Sequence, residues 1–242
     1  MKIGVAQNRP VAGDIEQNLE GHRRLIDLAV TNAADMVIFP ELSLTGYEPS
    51  LAQELATHPE DPRLDAFQEM SDTHQIIIGV GVPTKQEAGT CISLILLKPY
   101  QEKQIYSKQY LHADEEPYFV AGQNATGFIG EDNRIALAIC YELSVPEHAQ
   151  HAFTSGAEMY LASVVKSVRG IDKAWQRLSD IAEHFGMTVL MANSVGLADG
   201  EECAGKSAIW DNQGNLLGQL NDTQEGILLL DTVTQEVTSI TL

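Results

Sequence analysis

Short, nearly unbroken apolar runs alternate along the chain with stretches whose apolar residues recur every three or four positions, the pattern of buried strands joined by amphipathic helices. Lys2 to Gln7 reads as a strand. After the Gly13-Asp14 turn, Asp14 caps a helix that puts Ile15, Leu19, His22, Ile26 and Ala29 on one face. Met36-Val-Ile-Phe39 is the next strand. Arg63 to His74 predicts a helix carrying Leu64, Phe67 and Met70, and Ile76 to Val82 a buried strand. Thr90 to Leu97 and Gln104 to Tyr106 predict an antiparallel hairpin through the polar segment from Lys98 to Lys103. The second half repeats the scheme. Strands fall at 127–129 and at Ile135 to Cys140, a helix at Pro146 to Ser155, and a strand at Met159 to Val165. A helix from Asp172 to Phe185 puts Trp175, Leu178, Ala182 and Phe185 on one face, before a strand from Thr188 to Val195. Ser207 to Asp211, Leu216 to Leu220 and Gly226 to Asp231 predict a closing β-meander. Two rounds of strand, helix and strand, with some antiparallel pairing, predict an α/β protein of two sheets packed face to face with helices outside.

Composition narrows the function classes. With 242 residues, 44% hydrophobic and 20% charged, the chain can bury a sizeable core. No repeat, low-complexity stretch or linker marks a boundary, so one domain over 1–242 is expected. Fifteen basic residues against 34 acidic ones give a net charge of -19, which argues against nucleic acid as a partner. The first residues enter a strand pattern without a signal-peptide core, and no apolar run approaches the ~20 residues that span a bilayer, so a cytoplasmic protein without membrane contact is expected. Cys91, Cys140 and Cys203 are odd in number and widely spaced, which suits neither a disulfide framework nor a zinc site. They are expected to be reduced thiols.

Three polar residues stand where predicted strands end. Ile135-Ala-Leu-Ala-Ile139 runs straight into Cys140 and then a turn at Leu143 to His148, which would place a thiol where strand ends open into a crevice, near backbone N–H groups. The same cysteine also reads as a small core residue, since free cysteines are commonly buried. Glu41 follows the Met36 strand directly and Lys108 follows the Gln104 strand; alone, Glu41 reads as a capping or loop carboxylate and Lys108 as a solvated surface charge.

Phe39-Pro40-Glu41-Leu42-Ser-Leu-Thr-Gly46-Tyr47, Tyr106-Ser-Lys108-Gln-Tyr-Leu111, and Ile139-Cys140-Tyr141-Glu142 with Pro146-Glu147, in that order, together resemble the nitrilase superfamily of carbon–nitrogen hydrolases. Gly13-Asp14 with Asn18, Phe119-Val-Ala-Gly122, Gly156-Ala157, Ala192-Asn193-Ser-Val-Gly196, Gly205-Lys-Ser207 and Gly214 extend the resemblance across the chain. It implies a four-layer α-β-β-α sandwich with two mixed sheets of the six-stranded type, and a catalytic triad of Cys140, Glu41 and Lys108. In that chemistry Cys140 is the nucleophile and Glu41 the proton carrier. Lys108 and the Tyr141 N–H receive the oxyanion, without metal or organic cofactor. The family often has a second pocket glutamate, placed best here at Glu115 with Glu116 as the alternative. Two departures stand out. Ser144 occupies a position where the family frequently has arginine, so Glu142 is expected to pair differently, and the hairpin near Cys91-Ile92 lacks an asparagine.

The implied activity is hydrolysis of a small-molecule amide through a thioester at Cys140, with nitrile hydrolysis less expected. The segment Ala162 to Arg169 is expected to wall the pocket, with Val165 lining it and Lys166 or Arg169 binding a substrate carboxylate; solvated loop cations are the other reading. A homodimer through the helices near the nucleophile is expected. A non-catalytic binding or scaffold protein, and a glutaminase-like subunit supplying ammonia to a partner, are the alternatives.

Overall fold

The computed structural model describes residues 1–123, 127–129 and 134–242. Its first strand, β1 (Lys2–Gln7), leads into α1 (Ile15–Thr31). Asp14 caps that helix by accepting the Gln17 backbone N–H at 3.0 Å, an interaction commonly worth about 1 kcal/mol. The buried stripe of α1 holds Leu25 and Asn18 as well as His22, Ile26 and Ala29, while Ile15 and Leu19 pack at its edge. Asn18 is buried because its amide donates to the carbonyls of Val11 and Leu44 at 2.8 and 2.9 Å, which ties the helix to the loop after the next strand.

That strand is β2 (Met36–Ile38), followed by a short α2 (Ala52–Leu55), α3 (Asp65–His74), β3 (Ile77–Gln86), β4 (Gly89–Leu97) and β5 (Gln104–Ser107). The second half has β6 (Phe128–Ile129), β7 (Ile135–Ile139), a 3-10 segment Cys140–Ser144, α4 (Pro146–Thr154), β8 (Met159–Ser163), α5 (Ile171–Phe185) and β9 (Thr188–Ala192). Then come β10 (Val195–Ala198), β11 (Glu201–Ala204), β12 (Ala208–Trp210), β13 (Leu216–Gln219), β14 (Gly226–Asp231) and β15 (Val237–Thr241).

Two mixed sheets result. One has the order β15-β14-β1-β2-β3-β4-β5, with β1, β2 and β3 parallel; the other has the order β13-β12-β9-β8-β7-β6, with β7, β8 and β9 parallel. Alternation along the first sheet sorts its two faces. Ile3, Val5, Met36 and Ile38 share a core with the second sheet, whereas Ala6, Val37 and Phe39 pack with Leu25, Ile26 and Phe67 of α1 and α3. Helices α4 and α5 bury Ala149, Ala152, Leu178 and Ile181 in the core cluster of the second sheet. The layers therefore run helix, sheet, sheet, helix, as expected.

Three features differ from the sequence-based expectation. The first sheet has seven strands rather than six, because the half-polar segment β15 covers the edge of β14. The predicted meander is split. Its first two strands pair as β12 and β13, but β14 crosses to the other sheet and lies beside β1. The reason lies in the side chains: Gly226 to Leu230 are all buried, which suits an interior strand, whereas Leu216 to Gln219 are half-buried or exposed. Finally, β9 ends at Ala192, and Val195 belongs instead to a separate two-stranded ribbon of β10 and β11. Among the described residues, no helix is long and apolar enough to cross a membrane.

The carboxyl ends of β2, β7 and β8 converge, and Ser163 at the end of β8 donates to the Phe39 carbonyl at 2.8 Å across the two sheets. In open α/β sheets such converging strand ends form the crevice where ligands bind.

Candidate active site

Glu41 lies in the turn just past β2, and β3 leaves room for it by having glycine at 81. A Cβ on Gly81 would sit 2.2 Å from the Pro40 carbonyl oxygen and 2.5 Å from the Leu42 nitrogen. The turn is held by the Leu44 N–H donating to Gly81 O at 3.0 Å and by the Gly81 N–H donating to Ser43 Oγ at 3.2 Å. His22 supports it from α1 with Nε2 3.0 Å from Ser43 Oγ. Lys108 follows β5 and is anchored by its N–H to Ile92 O at 2.8 Å and by its carbonyl, which accepts from Gly122 N at 2.7 Å. Cys140 opens the 3-10 segment after β7 with φ at 42°, a left-handed conformation uncommon for a residue with a side chain.

These turns bring four candidate side chains together. The Lys108 ammonium, fully buried, donates to Glu41 Oε1 at 2.8 Å and to Glu115 Oε1 at 2.6 Å. Glu115 also accepts the Tyr47 hydroxyl at 3.1 Å and, through Oε2, the His112 N–H at 2.8 Å. Glu116 is exposed, so Glu115 is the second buried carboxylate of the site. The Cys140 thiol donates to the Val165 carbonyl, with Sγ 3.6 Å away. Glu41 Oε2 is buried and has no hydrogen-bond partner among the described residues.

Burial dominates the electrostatics. It raises the Glu41 pKa, an effect the Lys108 charge only partly offsets. Burial works to lower the Lys108 pKa, but the neighbouring Glu41 and Glu115 carboxylates more than compensate, and it is raised; the ammonium stays charged. The Cys140 thiol is pushed up by burial and by Glu41, against the pull of Lys166 and Lys108. The resting site thus favours a protonated thiol beside a carboxylate of unusual basicity and a fixed cation.

A cavity of about 330 Å³ opens onto Cys140. Tyr47, Glu115, Tyr141, Val165 and Lys166 line it, so five sequence-expected or motif residues share one space. Tyr141 occupies the second position of the 3-10 turn, where a backbone N–H has no acceptor within the turn. Asn193 fixes the backbone of Lys166 from both sides, accepting its N–H at 2.8 Å and donating to its carbonyl at 3.2 Å. Arg169 does not join the lining: its side chain is 89% exposed and approaches Glu201 at 3.5 Å. The rim also holds His112, Asp114, Asp199, Glu201 and Cys203, which sequence reasoning missed. The Asp199-Gly200 pair between β10 and β11 is a hairpin signal that could have revealed the last three. Among the described residues, no group of three or more His, Cys, Asp or Glu side chains is placed to hold a metal ion.

The family model described as carbon-nitrogen hydrolase matches residues 2–241. The chain belongs to the carbon-nitrogen hydrolase family. Similar proteins include the glutamine-dependent NAD(+) synthetase of Aquifex aeolicus, 26% identical over 241 residues, a match covering 94% of this chain and 41% of that one. The chain therefore spans well under half the length of those synthetases. The hydrolase in the agr operon of Staphylococcus aureus is 24% identical over 245 residues, covering 98% of this chain and 93% of its own. Among solved structures, an amidase from Nesterenkonia sp. AN1 in complex with butyramide has a TM-score of 0.87 at 24% identity, covering 97% of this chain and 92% of that one. Another form of that amidase carries the product of acrylamide addition at its active-site cysteine. The carbon-nitrogen hydrolase fold is therefore shared across nearly the full length of both chains.

Proposed function

We propose that this chain hydrolyses the C–N bond of a small amide through a thioester at Cys140, releasing ammonia or an amine. The observation that carries the reading is the unpartnered Glu41 Oε2, buried in the same site as a protonated thiol and a paired ammonium. A thiol is a poor nucleophile until it loses its proton. Glu41 takes that proton as Sγ attacks the amide carbon, and its raised pKa matches the task. The Lys108 ammonium and the Tyr141 N–H receive the developing oxyanion, an effect commonly worth about 3–4 kcal/mol per donor. Glu41 then passes the proton to the departing nitrogen, the C–N bond breaks, and a thioester remains. Water, activated by Glu41, attacks the thioester carbon and frees the acid, while the sulfur regains a proton. Glu115 and Tyr47 hold Lys108 in place throughout.

The size of the cavity favours a small substrate, and Lys166 lines it without an ion-pair partner among the described residues. A monoamide of a dicarboxylic acid, its free carboxylate on Lys166, is the substrate class we favour. Arg169, turned toward Glu201, is the weaker partner for such a carboxylate. Michaelis constants for charged and neutral amides with Lys166→Ala and Arg169→Ala test this; equal discrimination in wild type and Lys166→Ala sinks it. The synthetases named above motivate a second reading, glutamine as the amide and ammonia as the product handed onward.

Ammonia release from a panel of monoamides, glutamine, N-carbamoyl amino acids and nitriles, measured for wild type and Cys140→Ala, tests the reaction class. Release abolished in the variant supports a thiol-dependent hydrolase. A folded wild-type protein that releases nothing, and whose Cys140 is alkylated no faster than Cys91 or Cys203, favours a binding role instead.

A further inference from the structure

One carboxylate joins the two turns that carry Cys140 and Lys108. Glu142 lies two residues past the nucleophile in the 3-10 segment, fully buried. Its Oε2 accepts the Ile139 N–H and the Tyr106 hydroxyl, each at 2.7 Å, and its Oε1 accepts the Gln109 N–H at 2.6 Å. Ile139 immediately precedes Cys140, and Gln109 immediately follows Lys108. A single side chain thus grips the backbone on the near side of the nucleophile and on the far side of the cation. Hydrogen bonds to a carboxylate in a buried setting are short and strong, which makes this a stiff joint between β7 and the loop after β5.

Among the described residues, no arginine pairs with it. Ser144 stands where the resemblance leads one to expect a guanidinium, and Arg177 of α5 donates to the Ser144 hydroxyl instead. The groups facing Glu142 come from three further elements. Tyr106 of β5 also lies 2.9 Å from His148 Nε2; His148 of α4 comes within 3.6 Å of Glu142 Oε2; and the Tyr160 hydroxyl of β8 sits 2.8 Å from His148 Nδ1. Lys108 adds a more distant positive charge. Burial brings His148 down to about 4, so it is neutral near pH 7.

We propose that Glu142 is a positioning residue that holds the Cys140 turn and the Lys108 turn at one fixed separation, so that thiol and ammonium meet the same carbonyl group. The kinetic consequence rests on the amide-hydrolase reading, but the joint itself can be tested on the thiol without any amide. Protonation converts one acceptor oxygen to an O–H that faces donors, so the joint is firmest with the carboxylate ionised. Burial places that ionisation near neutrality, with the Glu142 pKa raised to about 7 despite the three hydrogen bonds.

The test compares wild type with Glu142→Gln, whose amide sets N–H groups against a backbone N–H, and with Glu142→Asp, which keeps the charge but is too short to reach both turns. Turnover is expressed per iodoacetamide-titratable Cys140, which removes the effect of any misfolded fraction. Glu142→Gln is expected to lower kcat per site by about 100-fold, the size of a small misplacement of reacting groups, with KM for the amide nearly unchanged. Glu142→Asp moves the same way by less, and serves if Glu142→Gln fails to fold. Cys140 alkylation slows in both variants, and the acid limb of its pH profile, present in wild type near pH 7, is lost in Glu142→Gln. Unchanged kcat per site and an unchanged alkylation rate, even with a lowered melting temperature, overturn the proposal and leave Glu142 a purely structural group. If wild type turns over no amide, that result bears on the reaction class alone, and the alkylation comparison decides the role of Glu142.

Discussion

The Glu41 carboxylate and the Lys108 ammonium meet at 2.8 Å with neither side chain exposed to solvent, yet the pair is lopsided, because among the described residues only one oxygen of Glu41 is engaged. A structural ion pair would satisfy both oxygens. The free oxygen beside a protonated thiol makes opposite predictions for two measurements on Glu41→Gln. Amide turnover falls by a factor of about 100 to 10,000 with the loss of the proton carrier. The pH midpoint of Cys140 alkylation shifts downward, since burial is the larger cause of its raised pKa but the Glu41 charge is the next, and that charge is gone. Iodoacetamide kinetics across pH, set beside ammonia release, check the pair; loss of both reactivities together would contradict it.

Gly81 offers a test that never touches a chemical group. Its missing side chain is what lets the Pro40-Glu41-Leu42 backbone cross β3, with the Pro40 carbonyl oxygen 2.2 Å from where a Cβ would stand. Because that neighbour is backbone, it cannot rotate away. Gly81→Ala is expected to displace the Glu41 turn, lowering kcat by about 100-fold and destabilising the protein by about 1–3 kcal/mol. Urea unfolding and steady-state kinetics on the same preparation check this, and a fully active variant would show that the turn yields without consequence.

The sequence made the strand ends legible and left their company obscure. Unbroken apolar runs located β1, β2, β7 and β8, and the abrupt change to Glu41 and Cys140 at two of their ends marked the site. The resemblance put Lys108 with them. What no local pattern carries is the direction of a side chain whose neighbours are distant in sequence. Glu115 and Glu116 look alike until the chain folds; then the His112 N–H and the Lys108 ammonium bind one of them, and the other faces water. Arg169 had the right charge and nearly the right place, but its side chain is exposed and pairs with Glu201 of the unpredicted ribbon rather than lining the cavity itself. The apolar run of β14 announced burial without saying which sheet would bury it, because pairing with β1 depends on residues more than 200 positions away.

Acid should loosen the Glu41 turn through His22. Its Nδ1 lies 2.7 Å from the Asn18 carbonyl, which can only accept, so Nδ1 carries the proton of the neutral ring and Nε2 accepts from Ser43. Burial lowers its pKa from 6.5 to about 4 against that backbone bond. The folded state therefore binds a proton less readily than the unfolded chain. The stability that results is complete above pH 6.5 and is lost as pH falls toward 4. For this residue alone the loss between pH 7 and 5 is about 2 kcal/mol. His22→Gln, with no proton to gain, is expected to shrink the difference between urea unfolding at pH 7 and at pH 5 by about that amount. An equal pH dependence in wild type and variant would assign the acid sensitivity elsewhere, with His148 the next group to test.

The groove between α4 and α5 leads to the last prediction, a homodimer. Leu143, Val145, Pro146, Ile181 and Phe185 line a depression of about 490 Å³ together with the polar Glu147, Gln150, Asp180 and His184, and Phe153, 46% exposed, packs on Phe185 with ring centroids 5.5 Å apart. We propose that a second copy covers it, since apolar side chains exposed beside polar ones are a common mark of association. Ser144 and Arg177 are part of the same lining, and Ser144 ends the 3-10 segment that begins with Cys140, so this surface and Cys140 share one short helical segment. Light scattering is expected to report twice the chain mass of 26.4 kDa for wild type and 26.4 kDa for Phe153→Glu. Turnover per alkylatable Cys140 should fall in that variant, because the segment loses the support of the partner's surface. A wild-type protein that scatters as a single chain at every concentration tested would remove the dimer and, with it, any role for a second subunit in holding the nucleophile.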